Sequence, residues 1–365
     1  MIKGNVPGGR GFHSIKGVKI SGSATAFPEP LKLPNGQFLG NITNEDIFKM
    51  LIGDNYPEEL AKIGMDPSYP EKMIGLKNRR WTHHIGSPAN HNEENMTHLG
   101  IKAGKSLFEK LNISPDEIDM VIVSSTTPHK TTTSSACAIA DGLEIKAPSM
   151  DMKSGCSSCL YSLLNAVMYV KAGFGKVLLI ASETPSKYAN TQLKDTVMGV
   201  GDGAVAMLFE PSDKDTGIIS GFLGSDGDLG KFVQTPGLMP PTHEAINNGS
   251  YYYQGDSAGL KDAVPVRYID AMTHALKIAE MSVDDLALYI PHQVNRYLTE
   301  KVAEKLNIPI EKQFYNLHKY ASLAGASVLV ALHDAVDEKR VKSGDRVALN
   351  VVGGGLTWGA IIWQF

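Results

Sequence analysis

The sequence predicts an α/β fold of stacked sheets and helices built from two related halves. Two observations carry this. Apolar strand patterns alternate with helical patterns, and one order of features occurs twice along the chain. The first copy opens at Ile113-Ser-Pro-Asp-Glu-Ile-Asp-Met-Val-Ile-Val-Ser-Ser, a helix-start signal and acidic turn running into an apolar strand. The second opens at Met281-Ser-Val-Asp-Asp-Leu-Ala-Leu-Tyr-Ile-Pro-His, with the same order. Each is followed by a small-residue turn, a helix, a Gly turn and a buried strand. In the first half these are Cys156 to Ala172, Gly173 and Lys176-Val-Leu-Leu-Ile-Ala-Ser. In the second they are Ser322 to Val341, Gly344 and Arg346-Val-Ala-Leu-Asn-Val-Val.

The polar break Pro211-Ser-Asp-Lys-Asp-Thr-Gly marks the junction, giving an N-terminal half over 17–212 and a C-terminal half over 213–365. Residues 1–16, with their glycine-rich opening, are expected to be a flexible lead-in. Residues 26–75 and 225–265, rich in Pro, Gly, Asn and Tyr, read as excursions that cap or line a site.

Composition narrows the function classes. A net charge of −4 over 365 residues gives no electrostatic case for nucleic acid as main partner. Three cysteines cannot all pair, and a free reactive thiol needs reducing conditions, which predicts a cytoplasmic location. No run of about 18 apolar residues occurs, so no membrane span is expected, and the start lacks the apolar stretch of a signal peptide.

The stretch Met150-Asp-Met-Lys-Ser-Gly-Cys156-Ser-Ser-Cys159-Leu-Tyr carries the strongest chemical signal. It delivers Cys156 to the front of a long apolar helical pattern. The positive end of a helix dipole favours thiolate over thiol, and unpaired amides there can hold an oxyanion. That arrangement suits an acyl-carrying nucleophile. A C-x-x-C redox pair is disfavoured because such motifs follow the first strand of a small βαβ domain, and a zinc site lacks a second cysteine pair. Gly199-Val-Gly-Asp-Gly lacks the strand-to-helix context of a dinucleotide loop. Cys159 and Cys137 are expected to be packing and core residues. His292 differs from the other histidines in lying just past a buried strand, between Pro291 and Gln293. His83, His84 and His91 fall in a polar loop and read as solvated. Glu183 ends a buried strand and is expected to have a raised pKa and to fix the site by hydrogen bonding.

Five motifs in order resemble those of β-ketoacyl-ACP synthase III within the thiolase-like superfamily. They are Ser154-Gly-Cys156, Gly201-Asp-Gly-Ala204, Ile290-Pro-His292-Gln-Val-Asn295, Ser322-Leu-Ala-Gly-Ala-Ser327 and Val352-Gly-Gly-Gly-Leu-Thr-Trp-Gly359, and the resemblance covers residues 17–365. It implies a five-layer α-β-α-β-α fold, with Cys156 as acyl acceptor and His292 polarising the second thioester's carbonyl. It also implies an oxyanion hole from the N–H groups of Cys156 and Gly354. Asn295 and His318 are candidate supports. Acyl-CoA or acyl carrier protein would be substrates, with no cofactor and no metal, and the chain would form a homodimer through the strand near Lys146–Met152.

The chain also departs from that family. Ser322 stands where an asparagine normally joins the histidine in binding malonyl thioester, and its shorter hydroxyl offers one donor. Thr132, in Thr131-Thr-Thr133, replaces a bulky aromatic that limits acyl length, so a roomier tunnel is expected. Met73 and Tyr297 replace arginines associated with CoA or carrier protein, and Tyr69 falls near an adenine-stacking tryptophan. These departures resemble ketosynthase/cyclases that join two thioesters into dialkylresorcinol or cyclohexanedione rings, and quinolone-forming synthases. The leading expectation is a ketosynthase of secondary metabolism that condenses a Cys156-bound acyl group with a β-ketoacyl or other preformed nucleophile. The alternatives are synthase III chemistry with malonyl-ACP, acyl transfer to oxygen or nitrogen, and a non-catalytic partner subunit. A degradative thiolase would carry a second cysteine in the C-terminal Gly-rich motif, which has none.

Overall fold

A computed structural model describes residues 2–33, 38–88, 90 and 92–365. The first sheet contains β1 (Val18–Ala26), β2 (Met120–Ser124), β3 (Ser149–Met152), β4 (Val177–Glu183) and β5 (Gly203–Pro211), in the order β1-β5-β4-β2-β3. The second contains β6 (Gly217–Ser225), β7 (Leu288–Pro291), β8 (Arg346–Gly353) and β9 (Thr357–Gln364), in the order β6-β9-β8-β7. The two orders match strand for strand once the edge strand β3 is set aside. β4 and β2 pair in parallel as β8 and β7 do, and β4–β5 is antiparallel like β8–β9. The repeat seen along the sequence is a duplicated fold.

Both faces of each sheet are covered, which is why these strands read as continuous apolar runs. Along β4, Val177, Leu179 and Ala181 face one core, and Leu178 and Ile180 face another. Along β8, Val347, Leu349 and Val351 join that first core, and Ala348 and Val352 face a third.

Helices fill the layers. α1 (Met96–Leu111) and α2 (Ser135–Gly142) cover the outside of the first sheet, and α3 (Ser158–Lys171) and α6 (Ser327–Asp337) are sandwiched between the sheets. α4 (Ala263–Ala279) and α5 (Arg296–Lys305) cover the second sheet's outer face. The result is a five-layer α-β-α-β-α fold. Leu160, Leu163, Leu329 and Leu332 in the middle layer are all at most 2 % exposed, and burying each such side chain contributes roughly 1.5–3 kcal/mol.

Local chemistry sets the element boundaries. Asn95 caps α1 by accepting from the N–H groups of Thr97 and His98. Gly100 and Gly104 let α1 lie against α2, since a Cβ at either would come within 2.6 Å of a methyl of Ile139 or Leu143. The Asp151 carboxylate on β3 accepts from the N–H groups of Ser135 and Ala136 and so ties the start of α2 to the sheet.

Two expectations are corrected. The flexible lead-in is instead ordered. Gly9–Phe12 pairs antiparallel with β6, Ile15–Lys16 pairs with the start of β6, and Ile2–Lys3 pairs with Gly9–Phe12. The reason is that β6 would otherwise present an unpaired edge, and Gly9 and Gly11 fit against Phe222 and Ile278, where a Cβ would clash. Cys137 is exposed rather than core, because α2 turns Ala136, Ile139 and Ala140 inward and leaves Cys137 on its outer face. Deleting the chain through Phe12 is therefore expected to lower the thermal midpoint, by roughly 2–4 °C for each 1 kcal/mol of lost edge pairing. Calorimetry of the truncated protein checks this, and an unchanged midpoint would refute the docking.

Candidate active site

Two glycine loops, one from each half, cross at the C-terminal ends of the strands. After β3 the chain bends through Ser154-Gly155-Cys156, with Gly155 at φ +60. A Cβ on Gly155 would lie 2.1 Å from the carbonyl oxygen of Gly354, and one on Gly353 would lie 2.4 Å from the nitrogen of Cys156. Only glycine permits that approach. Hydroxyls lock the crossing: Thr357 Oγ1 donates to Ser154 O at 2.6 Å, Ser157 Oγ to Thr357 O at 3.0 Å and Ser158 Oγ to Gly155 O at 2.6 Å.

Cys156 does not rest as a thiolate. Burial pushes the thiol up to about 12, reinforced by the charge of Glu183, while the Gly354 N–H acts in the opposite sense. The expectation of a helix-stabilised thiolate is thus reversed in the resting site. α3 begins only at Ser158, and desolvation outweighs its terminus. Cys159 is buried, its Sγ 3.6 Å from the carbonyl oxygen of Cys156, in a packing position.

His292 follows β7. Its N–H donates to Asn350 O at 2.7 Å, and its carbonyl accepts from Tyr268 Oη at 2.9 Å. Gln293 beside it fixes the neighbouring loop by accepting from the N–H groups of Asn316 and Leu317, both at 2.9 Å. The imidazole is 1 % exposed, and neither ring nitrogen has a partner among the described residues. Burial lowers its pKa to about 4, so at neutral pH the ring is uncharged and can donate one N–H. Gly353, against Cys156, lies three residues beyond Asn350 on β8, about 10 Å of strand. Cys156 follows β3 of the first half and His292 follows β7 of the second, and β8, which holds the His292 backbone at Asn350, ends at the Gly353 that packs against Cys156.

Ser322 is fixed by its backbone. Its N–H donates to Gly199 O and its carbonyl accepts from Gly201 N–H, both at 2.9 Å. The next turn meets Glu183, which is buried at the end of β4. That carboxylate accepts from the N–H and hydroxyl groups of Thr126 and Thr127, the hydroxyl of Ser125 and the N–H of Gly325. Burial raises it to about 7 against the pull of these donors. Glu183 thus ties the Ser322 loop of the second half to the first, as expected of a residue that fixes the site.

The other expected residues lie elsewhere. Asn295 caps α5 by accepting from Leu298 N–H, a structural duty. His318 is exposed on the short helix Leu317–Tyr320. Thr132 is exposed on the loop between β2 and α2. Met73 and Tyr297 are exposed on adjoining segments, since Gly75 packs on the Arg296 side chain; Tyr69 is also exposed. His83 is not solvated: its Nδ1 sits 2.8 Å from buried Glu93, which also holds Lys187. His84 is half-buried, edge-on to Trp81, and His91 lies outside the described residues.

Sequence reasoning missed the tyrosines around Cys156. Burial raises the phenol pKa of both Tyr253 and Tyr268, and neither falls in a motif. Among the described residues no group of three His, Cys, Asp or Glu side chains is placed to hold a metal ion, and no helix is long and apolar enough to cross a membrane.

The depressed His292 pKa gives an acid-stability prediction. The unfolded ring binds a proton near 6.5 and the folded ring only near 4. Stability supplied by the neutral ring is therefore full above pH 6.5 and lost as pH falls toward 4, by up to about 3 kcal/mol. Denaturant unfolding at pH 7 and pH 4.5 is expected to show a smaller acid loss for His292→Phe than for the natural protein. Equal losses would refute the assignment.

Comparison with known proteins agrees with this geometry. The family profile for 3-oxoacyl-[acyl-carrier-protein (ACP)] synthase III matches residues 150–227, and that for the C-terminal part of the same family matches residues 276–365. The β-ketoacyl-[acyl-carrier-protein] synthase III of Natranaerobius thermophilus is 33% identical over 331 residues, 88% of this chain and 94% of that protein. Its namesake from Listeria innocua is 34% identical over 274 residues, 74% and 84% of the two chains. The crystal structure of 3-oxoacyl-[acyl-carrier-protein] synthase III from Aquifex aeolicus superposes with a TM-score of 0.79 at 29% identity, covering 96% of this chain and 100% of that one. Five layers from two matched halves and these matches together make the chain a Claisen-type ketosynthase of the β-ketoacyl-ACP synthase III family.

Proposed function

We propose that Cys156 takes an acyl group from acyl-CoA or an acyl carrier protein and that the α-carbon of a second thioester then attacks it. In the first step the Cys156 sulfur bonds to the acyl carbon, and the donor's thiol leaves with a proton. In the second, the α-carbon of the second thioester gives up a proton and bonds to the acyl carbon, and the Cys156 sulfur departs and takes up a proton, restoring the thiol. The N–H groups of Cys156 and Gly354 receive the oxyanion, and neutral His292 donates its ring N–H to the carbonyl of the second thioester. No cofactor enters either step.

The second thioester is a β-ketoacyl or other preformed nucleophile of secondary metabolism. The observation that supports this is Ser322, held by its backbone against Gly199 and Gly201 and offering one short hydroxyl where an amide would reach farther. A β-ketoacyl partner has more acidic α-protons than a simple acyl group and forms its enolate with less help. The relatives' shared name favours a second reading, carrier-protein synthase III chemistry with a malonyl extender.

The site is completed by a homodimer. β3 is an edge strand with one side unpaired among the described residues, and closed two-fold assemblies are the commonest kind. Pairing there would bring the partner's exposed Thr132 loop toward the acyl chain. The free thiol at Cys156, which needs reducing conditions, supports a cytoplasmic location.

Incubating the protein with acyl thioesters is expected to add one acyl mass. Cys156→Ala abolishes the addition, and Cys159→Ala retains it. Supplied to the loaded enzyme, a β-ketoacyl thioester is expected to turn over faster than a malonyl one, by about a hundredfold if one oxyanion donor is missing. A malonyl preference would decide for the second reading, and mass on Cys159 would overturn the site. Sedimentation is expected to show a species of twice the chain's mass, and a monomer at micromolar concentration would refute the pairing.

A further inference from the structure

A small hairpin covers the corner where Gly354 meets Cys156. Val233 pairs with Gly255 and Gln234 with Gln254, and a Cβ on Gly354 would meet Val233 Cγ1 at 3.1 Å. Gly230, just before the hairpin, approaches the loop in the same way, its Cβ position 2.7 Å from the carbonyl oxygen of Gly355. Tyr253 precedes the second arm of this hairpin. Its N–H donates to Tyr188 O at 2.7 Å, and Tyr188 Oη donates to Pro128 O at 2.8 Å. Backbone bonds thus pin Tyr253 between the cover of the Gly354 corner and the loop that leads to Thr132.

The hydroxyls of neighbouring tyrosines are committed to backbone carbonyls: Tyr161 to Gly224, Tyr188 to Pro128 and Tyr268 to His292. Tyr253 differs. Its hydroxyl makes no hydrogen bond to any described residue. Burial holds its phenol in the protonated, donating form. A half-buried phenol at the base of the strand pair that covers the Gly354 corner, without a partner among the described residues, is a donor left open for substrate.

We propose that Tyr253 is a specificity-determining residue of the condensation step, its hydroxyl donating to the carbonyl of the incoming thioester where the side chain of Ser322 is too short to do so. The assignment rests on the two-step reading above. A phenol donates from the far end of a rigid ring, whereas a serine hydroxyl sits one bond beyond Cβ. The hairpin that carries Tyr253 also closes over the Gly354 corner, so the donor comes with the cover that excludes water from it.

Tyr253→Phe removes the hydroxyl and keeps the ring. It is expected to load acyl groups at the natural rate, by intact mass, and to keep its thermal midpoint. Its kcat for condensation is expected to fall roughly a hundredfold, as when one oxyanion donor is deleted. A fall of at least about tenfold with loading intact supports the assignment. A smaller fall, or parallel loss of loading and condensation, overturns it. Running both extenders on both proteins separates the two proposals. A malonyl preference in the natural enzyme sinks the β-ketoacyl reading alone, whereas an unaffected Phe variant with either extender sinks Tyr253 alone.

Discussion

The crossing of two glycine loops at Gly155 and Gly354 is the constraint on which the rest of the site depends. Each half brings one loop, and neither leaves room for a Cβ at the point of contact. That closeness sets the main chain of the second half directly against the backbone nitrogen of Cys156 in the first. It also fixes how the sheets stack, because β3 leads into one loop and β8 into the other. A methyl group at Gly155 or Gly353 would separate the halves at the place where the chemistry needs them joined.

Two buried titratable groups give the site its electrostatic character. Desolvation keeps Cys156 a thiol and His292 an uncharged ring, so the empty site holds no ion pair between them. This differs from cysteine enzymes whose nucleophile rests as a thiolate beside a protonated imidazole. Here the proton must leave the sulfur when the donor thioester arrives, and the departing thiol of the donor is the natural acceptor. Glu183 holds its loops together at an electrostatic cost, since its charge disfavours the thiolate nearby.

The duplicated fold and the five layers were legible because they are written in periodicity and in short motifs. Strand faces alternate, helices begin after small residues, and the glycines stand where backbones touch. What was not legible depended on which neighbour a residue meets across space. The opening residues read as a loose lead because nothing local marks Gly9–Phe12 as the partner of β6. Cys137 read as core from its apolar neighbours, yet its helical phase turns it outward. The pKa of Cys156 could not follow from position before a helix, since burial by loops distant in sequence decides its sign. Tyr253 lies in a tyrosine run with no motif, and only the hairpin's placement over Gly354 marks it.

The pairing of the first residues with β6 has a consequence for synthesis. Phe12 leaves the ribosome early, yet its partner Gly221 follows about two hundred residues later. At about 5–20 residues per second that is roughly 10–40 seconds of waiting. During that interval the segment has no mate, and a sticky apolar strand would be open to wrong pairings. Its run of glycines with few large apolar side chains suits a strand that must stay uncommitted until the second half exists. The closing of that edge is a long-range event, so the sheet it completes is expected to be among the last parts of the molecule to form.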